Sequence, residues 1–140
     1  MTSEDLVNYP PHYTSNSSGV ETIELTENLS FNTGNALKYV SRYRLKNSPV
    51  QDIEKAIFYV KREIERLDTA HVGYYLSKSE HLEGEAEDRL FEWCLSEDNS
   101  LVVEVVQRLW YARFVIKPKM FLESALGYLE MLLEEVKGEE

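Results

Sequence analysis

Apolar side chains recur along this chain at three- and four-residue intervals, the period of a helix with one buried face. The clearest stretch is residues 49–68. There Ile53, Ala56, Ile57, Val60, Ile64 and Leu67 make one stripe, and Lys55, Arg62, Glu63 and Arg66 fall to the polar side. Ser48 followed by Pro49 is a favoured helix opening, because proline costs nothing where no N–H is needed. Upstream, Leu37 and Val40 carry a helix capped by Asn32 or Thr33 and running to about Leu45, where Asn47-Ser48-Pro49 breaks it. Residues 20–30 predict a short helix on Val20, Ile23 and Leu29. Residues 1–19, with Pro10, Pro11, Gly19 and a Ser/Thr/Asn-rich run, predict a loop.

Downstream, residues 71–84 read as a connector. Three helices are expected after it. Residues 85–95 place Ala86, Leu90, Phe91 and Cys94 on one side. Residues 101–116 carry Val102, Val105, Val106, Leu109 and Trp110. The last helix opens at Pro118, is lined by Leu122, Ala125, Leu129, Leu132 and Val136, and ends at Gly138. The β-branched residues of 101–116 alone suggest a strand, but 16 residues is long for one. The expected fold is all-α: a small helical bundle with an irregular N-terminal loop. Residues 1–70 form the loop-plus-helix part. Residues 71–140 form an acidic, apolar helical extension, either in the same domain or serving oligomerisation.

Charge sharpens this picture. The 140 residues carry a net charge of −10 and are 43% hydrophobic and 29% charged, an ordinary globular balance. Such acidity argues against DNA binding and anionic membrane surfaces. No apolar run approaches a membrane span, the acidic N-terminus does not read as a signal peptide, and the single cysteine excludes an intrachain disulfide. The expected setting is cytoplasmic. Yet residues 38–66 hold eight basic and four acidic side chains, a local +4, while residues 71–140 sum to −8. An acidic protein with one basic stretch raises the question of which anion that stretch meets.

Spacing gives one answer. Asn35, Lys38, Arg42 and Lys46 advance by three, four and four and share a helix face, as do Lys55, Tyr59 and Arg62. The short loop between the two helices makes them an antiparallel pair. Arg offers a planar fork for phosphate oxygens, Lys a point charge and Asn a neutral donor. The functional reading is a phosphate-binding cleft; the bland one is a solvated face laced by Glu54, Glu63 and Glu65. Asn8-Tyr9-Pro10-Pro11-His12-Tyr13 adds a stiffened loop with an imidazole and a ring for stacking. His71, His81 and Cys94 are scattered and read as structural, and no metal-ligand set stands out. The aromatics of the C-terminal half read as core, and its very apolar last two helices suggest a homo-oligomer seam.

These residues resemble a phage protein family usually labelled SaV-like, of unknown function or "nucleotide kinase". The match runs through Val7-Asn8-x-Pro10-x-His12-Tyr13, Glu21-x-Ile23-Glu24, Gly34-Asn35-Ala36-Leu37-Lys38-Tyr39-x-x-Arg42-x-x-x-Lys46 and Asp52-Ile53-x-Lys55-Ala56-x-x-Tyr59, in order over about residues 7–67. The resemblance implies a phage protein that binds nucleotides and, in part of the family, transfers a phosphoryl group to a deoxynucleoside monophosphate. It makes Lys38, Arg42 and His12 the catalytic candidates, and Asn8, Tyr13, Glu21, Asn35, Lys55 and Tyr59 the nucleotide-binding ones. Ser41 stands where the family often has tryptophan, and Tyr43-Arg44 where it has Ala-Gly. No phosphate-binding glycine loop is present. No cofactor is certain, and Mg²⁺ is the ion that phosphoryl transfer ordinarily uses. Three functions are expected in order: a nucleotide kinase, a protein that sequesters a host nucleotide signal without turning it over, and a helical adaptor for a host protein.

Overall fold

The computed structural model describes residues 16–45, 48–69, 84–114 and 118–139. Asn8, His12, Tyr13 and Lys46, with the expected connector at 71–84 bar its last residue, lie outside them. The described elements are α1 (Thr22–Thr26), α2 (Phe31–Arg42), α3 (Pro49–Thr69), α4 (Gly84–Leu95), α5 (Ser100–Tyr111) and α6 (Pro118–Gly138), with a 3-10 turn at Ala112–Phe114. The fold is all-α, as the periodicity predicts.

Four helices close into a ring. α2 packs on α3, α3 on α6, α6 on α5 and α5 on α2. Neighbours run antiparallel. Arg42, ending α2, meets Asp52 near the start of α3; Asp68, near the end of α3, meets Lys119 at the start of α6; and Arg108, late in α5, donates to Ser124, early in α6. This is an antiparallel four-helix bundle drawing two helices from each half of the chain. α1 and α4 pack on its flank, against α2, α5 and each other.

The pattern of buried positions explains the packing. α6 buries Pro118, Leu122, Ala125, Leu129, Leu132 and Val136, a strict alternation of four and three that keeps one seam facing its neighbours. α5 buries Val102, Val105, Val106, Leu109 and Trp110, and α4 buries Ala86, Leu90 and Trp93. On α3 the buried residues are Asp52, Ile53, Ala56, Val60 and Glu63.

Glu63 corrects the sequence expectation, which gave it to the polar face. Its side chain is fully buried at a core position. The carboxylate accepts two parallel bonds from Arg66, Nε to Oε1 at 2.9 Å and a terminal nitrogen to Oε2 at 2.8 Å. Asn32 Nδ2 donates to Oε1 at 3.0 Å and Ser30 Oγ to Oε2 at 3.4 Å. A buried carboxylate is tolerable only when its oxygens are satisfied in this way.

Other expectations shift by a turn or less. Ser30, not Asn32 or Thr33, is the N-cap of α2, because the chain leaves α1 sooner than expected. α1 has only five residues and buries Thr22 and Leu25, leaving Ile23 60% exposed. Gly19, at φ +78°, turns the chain into it, a conformation glycine adopts without strain. Phe91 is exposed rather than core, because the α4 stripe centres on Leu90 and Trp93. α5 ends at Tyr111 and tightens into the 3-10 turn, a common way to finish a helix before a proline.

The Glu63 cluster makes a direct prediction. Glu63→Ala removes a fully buried side chain and the acceptor of these four hydrogen bonds, and should lower unfolding free energy in urea by about 2–3 kcal/mol. That is less than the usual penalty for a stranded buried partner, because Arg66 is 38% exposed and rehydrates. An unchanged midpoint would show that the cluster carries no stability.

Candidate functional site

Antiparallel pairing of α2 and α3 decides which side chains meet. Asn35, Lys38, Tyr39 and Arg42 lie on successive turns of α2, and Asp52, Lys55 and Tyr59 on successive turns of α3. With Arg42 opposite Asp52 and Asn32 opposite Glu63, the middle turns fall together, and Tyr39 becomes the centre.

Three cations surround its ring. Lys38 Nζ lies 4.5 Å from the ring centroid, Arg42 Cζ 4.6 Å and Lys55 Nζ 5.2 Å. Tyr59 stacks on Tyr39 with centroids 5.9 Å apart and planes 7° from parallel. Phe31 and Phe58 meet Tyr59 at 83° and 84°. A tyrosine face attracts cations through its quadrupole, by roughly 0.5–1 kcal/mol each at an exposed site. That partly offsets the mutual repulsion of three positive groups around one ring.

Arg42 is buried, and its guanidinium lies 3.6 Å from Asp52, itself buried. Asp52 Oδ1 faces Arg42, while Oδ2 is shielded from solvent and accepts no hydrogen bond. A buried acceptor without a donor is costly, and such groups concentrate where a ligand or reaction uses them.

Of the six predicted site residues that lie among the described ones, Lys38, Arg42, Lys55 and Tyr59 converge here. Asn35 lies one turn from Tyr39 on the same helix and is half-buried. Glu21 has a structural task. It is the N-cap of α1, and its backbone N–H donates to Glu24 at 3.2 Å. Its neighbour Thr22 packs against Ser41, with hydroxyl oxygens 3.4 Å apart, which ties α1 to the turn beside Arg42. Tyr39, Phe31, Phe58 and Asp52 were not among the predicted site residues. Tyr39 was findable, since it lies three and four residues from Arg42 and Asn35 on one helix face. Among the described residues no group of three or more His, Cys, Asp or Glu is placed to hold a metal ion, and no helix is long and apolar enough to cross a membrane.

The C-terminal end of α2 carries different chemistry. Arg44 donates to the buried Glu97 at 2.6 Å, and Asn99 Nδ2 donates to Tyr43 Oη at 3.3 Å and to Glu135 at 3.2 Å. Tyr43, Arg44, Asn99, Ser100 and Glu135 line an open pocket of about 480 Å³ there; Asn99 joins Tyr43 and Glu135 across it, and Arg44 is taken by Glu97.

With this geometry in place, comparison with known proteins adds one finding. Residues 7–61 match the model of a family described as a protein of unknown function, DUF3310. The match contains all four turns of the cation–tyrosine cluster and stops within α3. No curated protein and no solved structure matches the chain.

Cys94 lies outside the cluster. It is half-buried, and burial, with Glu97 nearby, pushes its thiol up to about 11. An acid with a raised pKa is less ionised at any given pH below it, so at pH 8 the folded chain holds on the order of a hundredfold less thiolate than the unfolded one. Iodoacetamide at pH 8 should therefore alkylate the native protein at least about tenfold more slowly than the urea-unfolded chain. Equal rates would show an exposed, ordinary thiol.

Proposed function

We propose that this protein binds a nucleotide, with its phosphate held by Lys38, Lys55 and Arg42 and its planar part against the neighbouring aromatic rings. The observation that carries the reading is the convergence of three cations on one tyrosine in a chain of net charge −10. Like charges gathered in an acidic protein repel one another unless an anion joins them. Lys and Arg at adjacent turns supply the donors that phosphate oxygens take up best. Asp52 fixes the Arg42 fork from behind, leaving the ammonium groups of Lys38 and Lys55 as the adaptable partners.

The resemblance to SaV-like phage proteins supports the same reading, because its motif residues Lys38, Arg42, Lys55 and Tyr59 are those the fold brings together. Two of the departures from that pattern have packing reasons. Ser41 is buried against Thr22, where a tryptophan has no room without moving α1. Tyr43 and Arg44 reach Asn99 and Glu97 and so tie α2 to the start of α5. The resemblance also brings in phosphoryl transfer to a deoxynucleoside monophosphate. Binding is the part for which the cation cluster supplies a physical reason, and sequestration without turnover needs nothing further.

The test is incubation of the purified protein with a pool of ribo- and deoxynucleotides, with and without Mg²⁺, followed by removal of free ligand, denaturation and mass spectrometry of both fractions. A nucleotide retained by the wild type should be held at least about tenfold more weakly by Lys38→Ala and by Lys55→Ala, the cost of losing one charge-assisted contact. Both side chains are only partly buried, so both variants should melt as the wild type does. New di- or triphosphates in the free fraction would establish transfer. An unaltered nucleotide released only on denaturation would establish sequestration. No retained or altered nucleotide would overturn the proposal.

A further inference from the structure

Phe31 and Phe58 belong to none of the motifs that pointed to the site, yet they are its most exposed members, at 76% and 59%. Single exposed apolar residues need no explanation. Two phenylalanines from different helices, both against the tyrosine that adjoins a cation cluster, need one. Phe31 meets Tyr59 with centroids 6.2 Å apart, and Phe58 does so at 5.1 Å. Both contacts are perpendicular, so each leaves at least one face of each phenylalanine unused. Tyr59 itself stacks on Tyr39. The surface thus offers two separate open rings at the edge of one group of positive charges.

From this we infer that the ligand is a dinucleotide: two nucleobases, one stacked on Phe31 and one on Phe58, joined through phosphate held by Lys38, Lys55 and Arg42. The inference rests on the nucleotide reading above and adds the class of ligand. Aromatic faces bind bases of any identity through their π-surfaces, and two faces suit two bases. Charge sets the limit in both directions. Among the described groups, three cations and the carboxylate of Asp52 sum to two net positive charges around Tyr39. Nucleotide phosphodiesters bring one negative charge each, so a linear dinucleoside monophosphate, with one, and a cyclic dinucleotide, with two, both stay within that charge. Two separate mononucleotides would bring about −1.5 to −2 apiece and repel each other across one site. A longer strand would carry its further phosphates beyond the basic stretch and over a protein whose residues 71–140 sum to −8, where each is repelled.

Calorimetric titration of the full chain tests this with the four homodinucleoside monophosphates, the four 5′-mononucleotides and a ten-residue single strand of each base. The wild type should bind at least one dinucleotide about tenfold or more tightly than the matching mononucleotide, at one ligand per chain, with no further gain for the ten-residue strand. Phe31→Ala and Phe58→Ala should each remove that advantage, by about tenfold for the loss of one stacked base. Phe31→Trp and Phe58→Trp should retain it. Both phenylalanines are exposed, so melting within a few degrees of the wild type is expected and guards against misfolding.

A mononucleotide bound as tightly as any dinucleotide would overturn the inference and leave the nucleotide reading standing. So would alanine variants that keep the dinucleotide preference. Affinity that grows with strand length would replace the dinucleotide with single-stranded nucleic acid. A wild-type dimer in sedimentation that both alanine variants abolish, with no dinucleotide preference, would make the aromatic face a contact between copies of this chain. No binding of mono- or dinucleotides would remove the nucleotide reading and the inference together.

Discussion

The position of α2 depends on two buried carboxylates, one at each end. Glu63 of α3 sits in the core seam and gathers Ser30 and Asn32 from the first turn of α2. Glu97, just before α5, takes Arg44 from just beyond the last turn of α2. Each also serves a helix start. Negative charge near the first turn of α2 complements the positive end of its dipole. Glu97 Oε2 accepts the backbone N–H of Asn99, the N-cap of α5. A purely apolar seam would hold α2 with comparable strength but would let it slide by a turn at little cost. Directional bonds at both ends set its register, and register decides whether Tyr39 lies under Lys55 and Tyr59.

That register has an electrostatic consequence. Lys38 and Arg42 are four apart on one helix, a like-charge arrangement that disfavours the isolated helix by a few tenths of a kcal/mol. Lys55 from α3 adds a third charge to the same ring. Among the described residues, the π-face of Tyr39 and the carboxylate of Asp52 offset part of this repulsion. A bundle selected for stability alone has easy remedies, such as a glutamate at any of these positions. The surplus of positive charge is therefore a cost of the fold that a bound anion would repay. The same reasoning covers the exposed rings of Phe31 and Phe58, which add nothing to the core.

Much of this was legible in the sequence, and the failures share a cause. Period alone located α3, α5 and α6, because Ile53–Ala56–Val60 and Leu122–Ala125–Leu129–Leu132 repeat for several turns and few other structures fit them. Helical spacing also put Lys38, Arg42, Lys55 and Tyr59 on facing surfaces. Glu63 was misread because residue type was used to infer burial. At spacing 53, 56, 60, 63 the period predicted a core position, and only its charge argued otherwise. Ile23 failed by the same rule in reverse: in a five-residue helix, the capping pair Glu21–Glu24 and the Thr22–Ser41 contact fix the rotation, and a single isoleucine does not. Tyr39 was marked by helical spacing and overlooked, but Phe31 was missed because ring–ring contacts between α2 and α3 depend on two helices at once. Spacing within one helix does not specify them.

The match to DUF3310 stops at residue 61, inside α3. α2 and α3 bury their inner faces against α5 and α6, and two short helices without that cover expose most of their apolar stripe and are marginal in water. The C-terminal half therefore acts as the scaffold that makes the matched segment stable. Its requirements are loose: apolar residues at alternating spacings of three and four, a few contacts such as Asn99–Tyr43 and Arg44–Glu97, and an outer face of any soluble composition. Here that face is acidic. Residues 71–140 sum to −8 and residues 38–66 to +4, so the positive charge of the protein is concentrated in α2 and α3. The segment that matches the family carries the cation–tyrosine cluster, and the unmatched half supplies the two bundle helices that pack against α2 and α3.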